Sequence, residues 1–141
     1  MKVKSIDHIV IPVSDIHQSL HFYTEILGME ADTSHQRFAL KFGNQKINLH
    51  VGKAQFLPAA KCPTFGSTDI CLLADGSIED IKAEVTSKGI EIECGIVQRQ
   101  GAQGAIRSIY FRDPDGNLIE VSTLISVSYT HLRAHETAAN L

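Results

Sequence analysis

An α+β protein of two tandem βαβββ modules, whose curved sheets enclose a shared cleft, is the fold this sequence predicts. Three observations predict it. Asp7-His8-Ile9 and Thr68-Asp69-Ile70 stand at matching places near the head of two similar stretches. Each head is followed by a capped amphipathic helix that closes on a glycine, Gly28 in one and Gly89 in the other. Toward the end of each stretch, Lys46-Ile47-Asn48-Leu49 matches Leu118-Ile119-Glu120-Val121. Repetition of this kind constrains the fold, because one face of each small sheet goes to its own helix and the other must be covered. Two modules side by side curl their free faces around one cleft.

The elements follow in order. Residues 6–13 alternate as a strand, with Ile6, His8, Val10 and Pro12 on one face and Asp7, Ile9, Ile11 and Val13 on the other. Apolar residues on both faces predict cover on both sides. Ser14-Asp15-Ile16 starts a helix with two cap residues, and Ile16, Leu20, Tyr23 and Leu27 share its buried face. Three short strands follow over 29–33, 37–42 and 46–51, the last two joined at Gly43-Asn44. In the third, Ile47, Leu49 and Val51 alternate with Lys46, Asn48 and His50. Residues 53–66, with Pro58, Pro63 and Gly66, show no period and link a first module over about 4–52 to a second over about 67–125. Phe56 and Phe65 pin this linker to the body.

The second module repeats the plan. Residues 67–73 form a strand, and Ser77 caps a helix over 78–88 with Ile78, Ile81 and Val85 inward. A strand over 90–94 follows, then a glycine-rich loop, Arg99 to Ala105. That loop lacks the strand-then-helix context of a phosphate cradle. Strands over 106–112 and 117–124 flank Asp113-Pro114-Asp115-Gly116, where proline pre-sets φ and glycine takes φ > 0.

The chain of 141 residues, with 43% hydrophobic residues and a formal net charge of −3, has the composition of a globular domain with a real core. It lacks the basic footprint of a nucleic-acid binder. No apolar run reaches the length of a membrane span, and the basic N-terminus is not followed by a signal-peptide core, so a cytoplasmic protein is expected. The three cysteines, Cys62, Cys71 and Cys94, match neither a disulfide framework nor a zinc motif and read as buried or half-buried free thiols.

Two residues interrupt apolar strands with chemistry. His8 lies in the first strand, and Glu120 in the run Leu118-Ile119-Glu120-Val121. A carboxylate there faces solvent or has a partner, since an unpaired buried charge is costly. The plain alternatives are a hydrogen-bonded core histidine and an exposed acid. A neutral imidazole with a carboxylate suits Mn(II), Fe(II), Ni(II) or Zn(II).

Asp7-His8-Ile9-Val10, Ser19-Leu20-His21-Phe22-Tyr23, Leu27-Gly28-Met29 and the stretch from Tyr110 through Asp113-Pro114-Asp115-Gly116 to Glu120 together resemble the vicinal oxygen chelate superfamily. That group holds the glyoxalases, fosfomycin-resistance proteins and extradiol dioxygenases. Phe42 to His50 and Ser67 to Cys71 further resemble its glyoxalase domain-containing protein 5 or "virulence protein" branch. The resemblance covers roughly residues 4–125. It implies one divalent metal ion, Mn, Fe, Ni or Zn, held by inward-facing groups on corresponding strands. His8 matches the first ligand and Glu120 the last. Asp69 stands where the enzymes usually carry histidine. Asn48 occupies a further ligand position, with His50 two residues on along the same face, and Asp69 and His50 compete for the remaining places. Tyr110 matches a pocket tyrosine of the resistance enzymes and is a candidate donor to an anionic substrate group. Glu120 doubles as a candidate general base.

The resemblance therefore implies a metal-dependent lyase, isomerase, dioxygenase or thiol transferase. Its substrate is small and oxygen-rich and is chelated by the metal, which acts as a Lewis acid. The alternative is a metal-free binding protein of the bleomycin-resistance type. The resemblance also implies a homodimer with a small-molecule substrate, and neither nucleic acid nor membrane as partner. Residues 126–141 fit no part of the pattern; they resemble translated sequencing-adapter read-through and predict a disordered tail, so His131 and His135 are given no role.

Overall fold

A computed structural model describes residues 1–125, and the tail reading of residues 126–141 lies outside the described residues. The strands are β1 (His8–Val13), β2 (Glu30–Asp32), β3 (Phe38–Phe42), β4 (Gln45–Val51), β5 (Asp69–Leu73), β6 (Cys94–Gly101), β7 (Gly104–Arg112) and β8 (Leu118–Leu124). The helices are α1 (Ile16–His21), which continues as a wider π-helical turn over Phe22–Ile26, and α2 (Ile78–Ser87). The predicted α+β plan of two βαβββ modules is what the chain adopts: one four-stranded sheet in the order β1-β4-β3-β2 and a second in the order β5-β8-β7-β6. The chain divides into two compact units, Met1–Asp69 with Arg112–Leu118, and Ile70–Phe111 with the chain from Ile119 onward.

In the first unit β1 runs parallel to β4, with Val10 opposite Asn48 and Pro12 opposite His50. The alternation of both strands thus sends Ile11, Val13, Ile47 and Leu49 into the core and His8, Val10, Asn48 and His50 to the other face. The Asp15 carboxylate caps α1, accepting from the N–H groups of His17 and Gln18 at 3.0 and 3.1 Å. Phe22, Tyr23 and Ile26 are buried.

The turn after β7 belongs to this first unit. Asp113 is buried, and its carboxylate accepts from the Tyr23 hydroxyl at 2.6 Å, the Asn117 amide at 2.8 Å and the backbone N–H groups of Asp115 and Asn117 at 2.9 and 2.8 Å. Burial raises the Tyr23 phenol far above its ordinary range, and the Asp113 charge adds to the rise. The Asp115 carboxylate accepts from the Ser14 hydroxyl and, at 3.1 Å, from the Ser14 N–H.

In the second unit Ser77 caps α2 through Asp80 N–H at 3.1 Å, and Ile78 and Val85 are buried. Buried Ile109, Phe111, Ile119 and Val121 mark one face of β7 and β8.

Four expectations need correction. Residues 90–93 are not strand; β6 begins at Cys94 and runs to Gly101. The glycine-rich loop is mostly strand: Gly101 pairs with Gly104, so only Ala102 and Gln103 form the turn, and Gly104 takes φ +134° there. Glycine-rich text reads as loop, but two glycines flanking two residues also make a tight hairpin. Among the described residues β1 is covered on one face only, for Val10 is 45% exposed. The cysteines form no disulfide among the described residues, as expected, but all three are exposed; Cys71 falls on the open face of β5.

Candidate functional site

The second unit holds a cavity of about 380 Å³ that brings Glu120, Tyr110, Arg99 and Cys71 together. Period-two alternation explains the grouping. On β8, Glu120 and Ser122 share a face; on β7, Ile106, Ser108 and Tyr110 share one; on β5, Cys71 and Leu73 do. The Ser108 hydroxyl donates to Glu120 Oε2 at 2.6 Å. Its proton is thereby committed, so the Ser122 hydroxyl, 2.6 Å away, donates to Ser108 in turn. The Cys71 thiol lies 3.3 Å from the Ser122 oxygen and continues the chain. Both serines are fully buried, so each hydroxyl needs a protein partner, and this arrangement supplies one. One carboxylate oxygen of Glu120 is anchored in this way.

Tyr110 is held from the opposite direction. Arg99 Nε donates to its phenol oxygen at 3.1 Å. Burial raises the phenol above its ordinary value, the Arg99 hydrogen bond pulls it down, and the hydrogen bond to Glu120 raises it again. The net direction is upward, so the phenol keeps its proton at neutral pH.

His8 lies on the exposed face of β1, and its Nδ1 meets the Asp7 carboxylate at 2.7 Å. That hydrogen bond holds Asp7 below the ordinary carboxylate range. It also leaves Nε2 as the imidazole's acceptor, the arrangement in which metal-binding histidines are oriented by a carboxylate. Asp69 is exposed at the start of β5. His50 and Asn48 line a different cavity, in the first unit. There the His50 ring meets the Phe56 ring edge-on at 5.4 Å, and Arg37 lies over the same ring at 4.0 Å. Burial lowers the His50 pKa, and the Arg37 charge lowers it further. The same charge disfavours a cation beside His50.

The individual donors therefore fit a divalent ion: an oriented imidazole at His8 and a carboxylate with one oxygen anchored at Glu120. Among the described residues, no three His, Cys, Asp or Glu side chains come together as a complete ligand set. Glu120 and Tyr110 do share a cavity. Sequence reasoning missed Ser108, Ser122, Cys71 and Arg99. For the serines the signal was present: Ser108 is two residues before Tyr110 and Ser122 two after Glu120, on the same strand faces.

Two four-stranded βαβββ modules with an acid on the last strand define a glyoxalase-like protein. The model of the Glyoxalase/Bleomycin resistance protein/Dioxygenase superfamily matches residues 5–121, and the chain belongs to that superfamily, whose members are often metal-dependent enzymes. The chain is 50% identical over 126 residues to the "Virulence protein STM3117" of Salmonella typhimurium, covering 89% of this chain and 88% of the relative. The crystal structure of that protein matches with a TM-score of 0.86 over 89% of this chain and 100% of its own. A "Glyoxalase domain-containing protein RDO1" of Mycosarcoma maydis is 46% identical over 124 residues, 87% of this chain and 70% of the relative. An integron cassette protein from the mobile metagenome of Vibrio cholerae is 48% identical, with a TM-score of 0.85 over 89% of this chain and 98% of that one. The resemblance read from the sequence is borne out at the level of family and fold. Among the described residues, no helix is long and apolar enough to cross a membrane.

Proposed function

We propose that this protein is a divalent-metal-dependent enzyme acting on a small oxygen-rich molecule, with His8, Asp69 and Glu120 as ligands. His50 is the weaker candidate because Arg37 stands beside it. The observation that carries the reading is Glu120: a carboxylate on a strand between buried neighbours, with Ser108 holding Oε2 and Tyr110 beside it in the same cavity. The metal, when bound, supplies a Lewis acid that polarises a substrate oxygen. The chain's own residues do the rest. The protonated Tyr110 phenol, backed by Arg99, donates to an anionic group of the substrate. Glu120 would also serve as the base that takes a proton from the substrate. Asp7 keeps the His8 ring in one tautomer. A homodimer completes the site, with the donor set drawn from two copies, which accords with the absence of a three-donor group among the described residues of one chain. The reaction class is a lyase, isomerase, dioxygenase or thiol transferase.

A second reading is a metal-free binding protein of the same superfamily. Asp69 in the place usually held by histidine, and the incomplete donor set, favour it.

Metal analysis separates the two. Protein purified without chelator is expected to hold about one Mn, Fe, Ni or Zn per site, and His8→Ala and Glu120→Ala to lose it. Asp7→Ala is expected to weaken metal affinity by about 10–100-fold, the usual cost of removing a group that orients a ligand. Protein that holds no metal, and regains none on incubation with Mn(II), Ni(II) or Fe(II), rejects the enzyme reading in favour of the binding protein.

A further inference from the structure

The first unit carries its own cavity, of about 160 Å³, lined by Arg37, Lys46, Asn48, His50 and Phe56 among others. Its polar groups differ in kind from those around Glu120. The Arg37 guanidinium lies 4.0 Å over the Phe56 ring, and it makes no ion pair among the described residues. Asn48 makes no side-chain hydrogen bond among the described residues, and Lys46 makes no close ion pair there. Arg37 and Asn48 thus face one cavity without a side-chain acceptor among the described residues, and Lys46, whose charge also acts on the Asp7 carboxylate, stands beside them. The wall holds one carboxylate, Asp32, and it is already engaged: it accepts from the Ser34 N–H at 2.9 Å and the Ser34 hydroxyl at 2.7 Å, and Lys41 lies at 3.3 Å. The segment before Arg37 adopts the left-handed region at two non-glycine residues, His35 at φ 59° and Gln36 at φ 58°. Such conformations persist where the surroundings hold them, often beside ligand sites.

We propose that this cavity binds a small oxyanion, a carboxylate or phosphoryl group on a short apolar body, with Arg37 as its principal donor. The planar guanidinium matches either oxyanion through two parallel N–H groups, and its seat on Phe56 lowers the entropy lost on binding. Lys46 adds a point charge and the Asn48 amide a neutral donor. Phe56 and Leu49 supply the apolar wall. The volume of about 160 Å³ admits a short-chain acid or phosphate. No metal is required, so the site stands or falls apart from the enzyme reading.

The test uses the whole chain, freed of metal by chelator. It is titrated separately with pyruvate and with inorganic phosphate while the Arg37 Nε–H and Asn48 side-chain NMR signals are followed. Saturable shifts at both residues with either probe support the site, and the ratio of the two affinities identifies the preferred oxyanion. Arg37→Met is expected to weaken binding about tenfold or more, as loss of a charge-assisted hydrogen bond implies, with an unchanged melting temperature because the side chain is exposed. Arg99→Met is expected to leave binding unchanged. Equal affinity in Arg37→Met, loss in Arg99→Met instead, or no saturable shift with either probe overturns the proposal.

Discussion

The open faces of the two sheets are built to the same plan and finished in opposite ways. On β8 the acid Glu120 is tied into a chain of partners: Ser108 and Ser122 on one side, Tyr110 and Arg99 on the other. On β4 the matching position is Asn48, whose amide has no side-chain partner among the described residues, and its neighbours are cations. A half-buried charge is costly without partners, so the second unit gives its carboxylate donors. A neutral amide imposes no such demand, which leaves the first unit's donors available to something outside the chain. Repetition of a module copies the backbone and its face alternation; it does not copy the chemistry on that face.

The largest expected effect tests how the first unit is held together. Asp113→Ala removes the acceptor of the Tyr23 hydroxyl, the Asn117 amide and two backbone N–H groups at once. A cost of about 3 kcal/mol or more is expected, read as a drop in denaturant midpoint, because several buried donors lose their partner together. A loss below about 1 kcal/mol would show that the turn is not the anchor described.

Next comes the contrast itself. Ser108→Ala removes the short 2.6 Å bonds to Glu120 Oε2 and to the Ser122 hydroxyl and leaves only the 3.4 Å Ser122–Glu120 bond between them, at about 1–3 kcal/mol, whereas Asn48→Ala is expected to cost under about 0.5 kcal/mol. Similar losses for the two would erase the distinction between a satisfied face and a vacant one.

The smallest effect is in pH. The folded-state pKa of His50 lies below its ordinary 6.5, through burial first and Arg37 second. The unfolded chain therefore binds the proton first as pH falls. The contribution is fully present above 6.5 and is lost as pH drops through the folded value. His50→Asn is expected to show a shallower loss of stability than the parent between pH 7.5 and 5.5, measured by denaturant midpoint at each pH. An identical slope would remove His50 from the account.

The legible part of the sequence was whatever follows from local period. The alternation of Ile47, Leu49 and Val51 with Lys46, Asn48 and His50 gave β4 and its two faces, and Asp15 and Ser77 gave the helix starts. The hairpin at Gly101 to Gly104 was misread because glycine signals a loop and a two-residue turn equally well. Of the candidate site, Glu120 was singled out by its place in the repeat and Tyr110 by the family resemblance, and the two line one cavity. Arg99 was missed because its value lies in reaching Tyr110 across the β6–β7 pair, eleven residues along the chain.

By itself the sequence determined the two modules, the superfamily and the faces on which His8 and Glu120 stand, because alternation and repetition are written in residue order. Tertiary structure alone decided who accompanies them. Tyr23 meets Asp113 across 90 residues, and Ser108 meets Glu120 across 12. Hydrogen bonds of that reach depend on register and packing, and no local pattern specifies either.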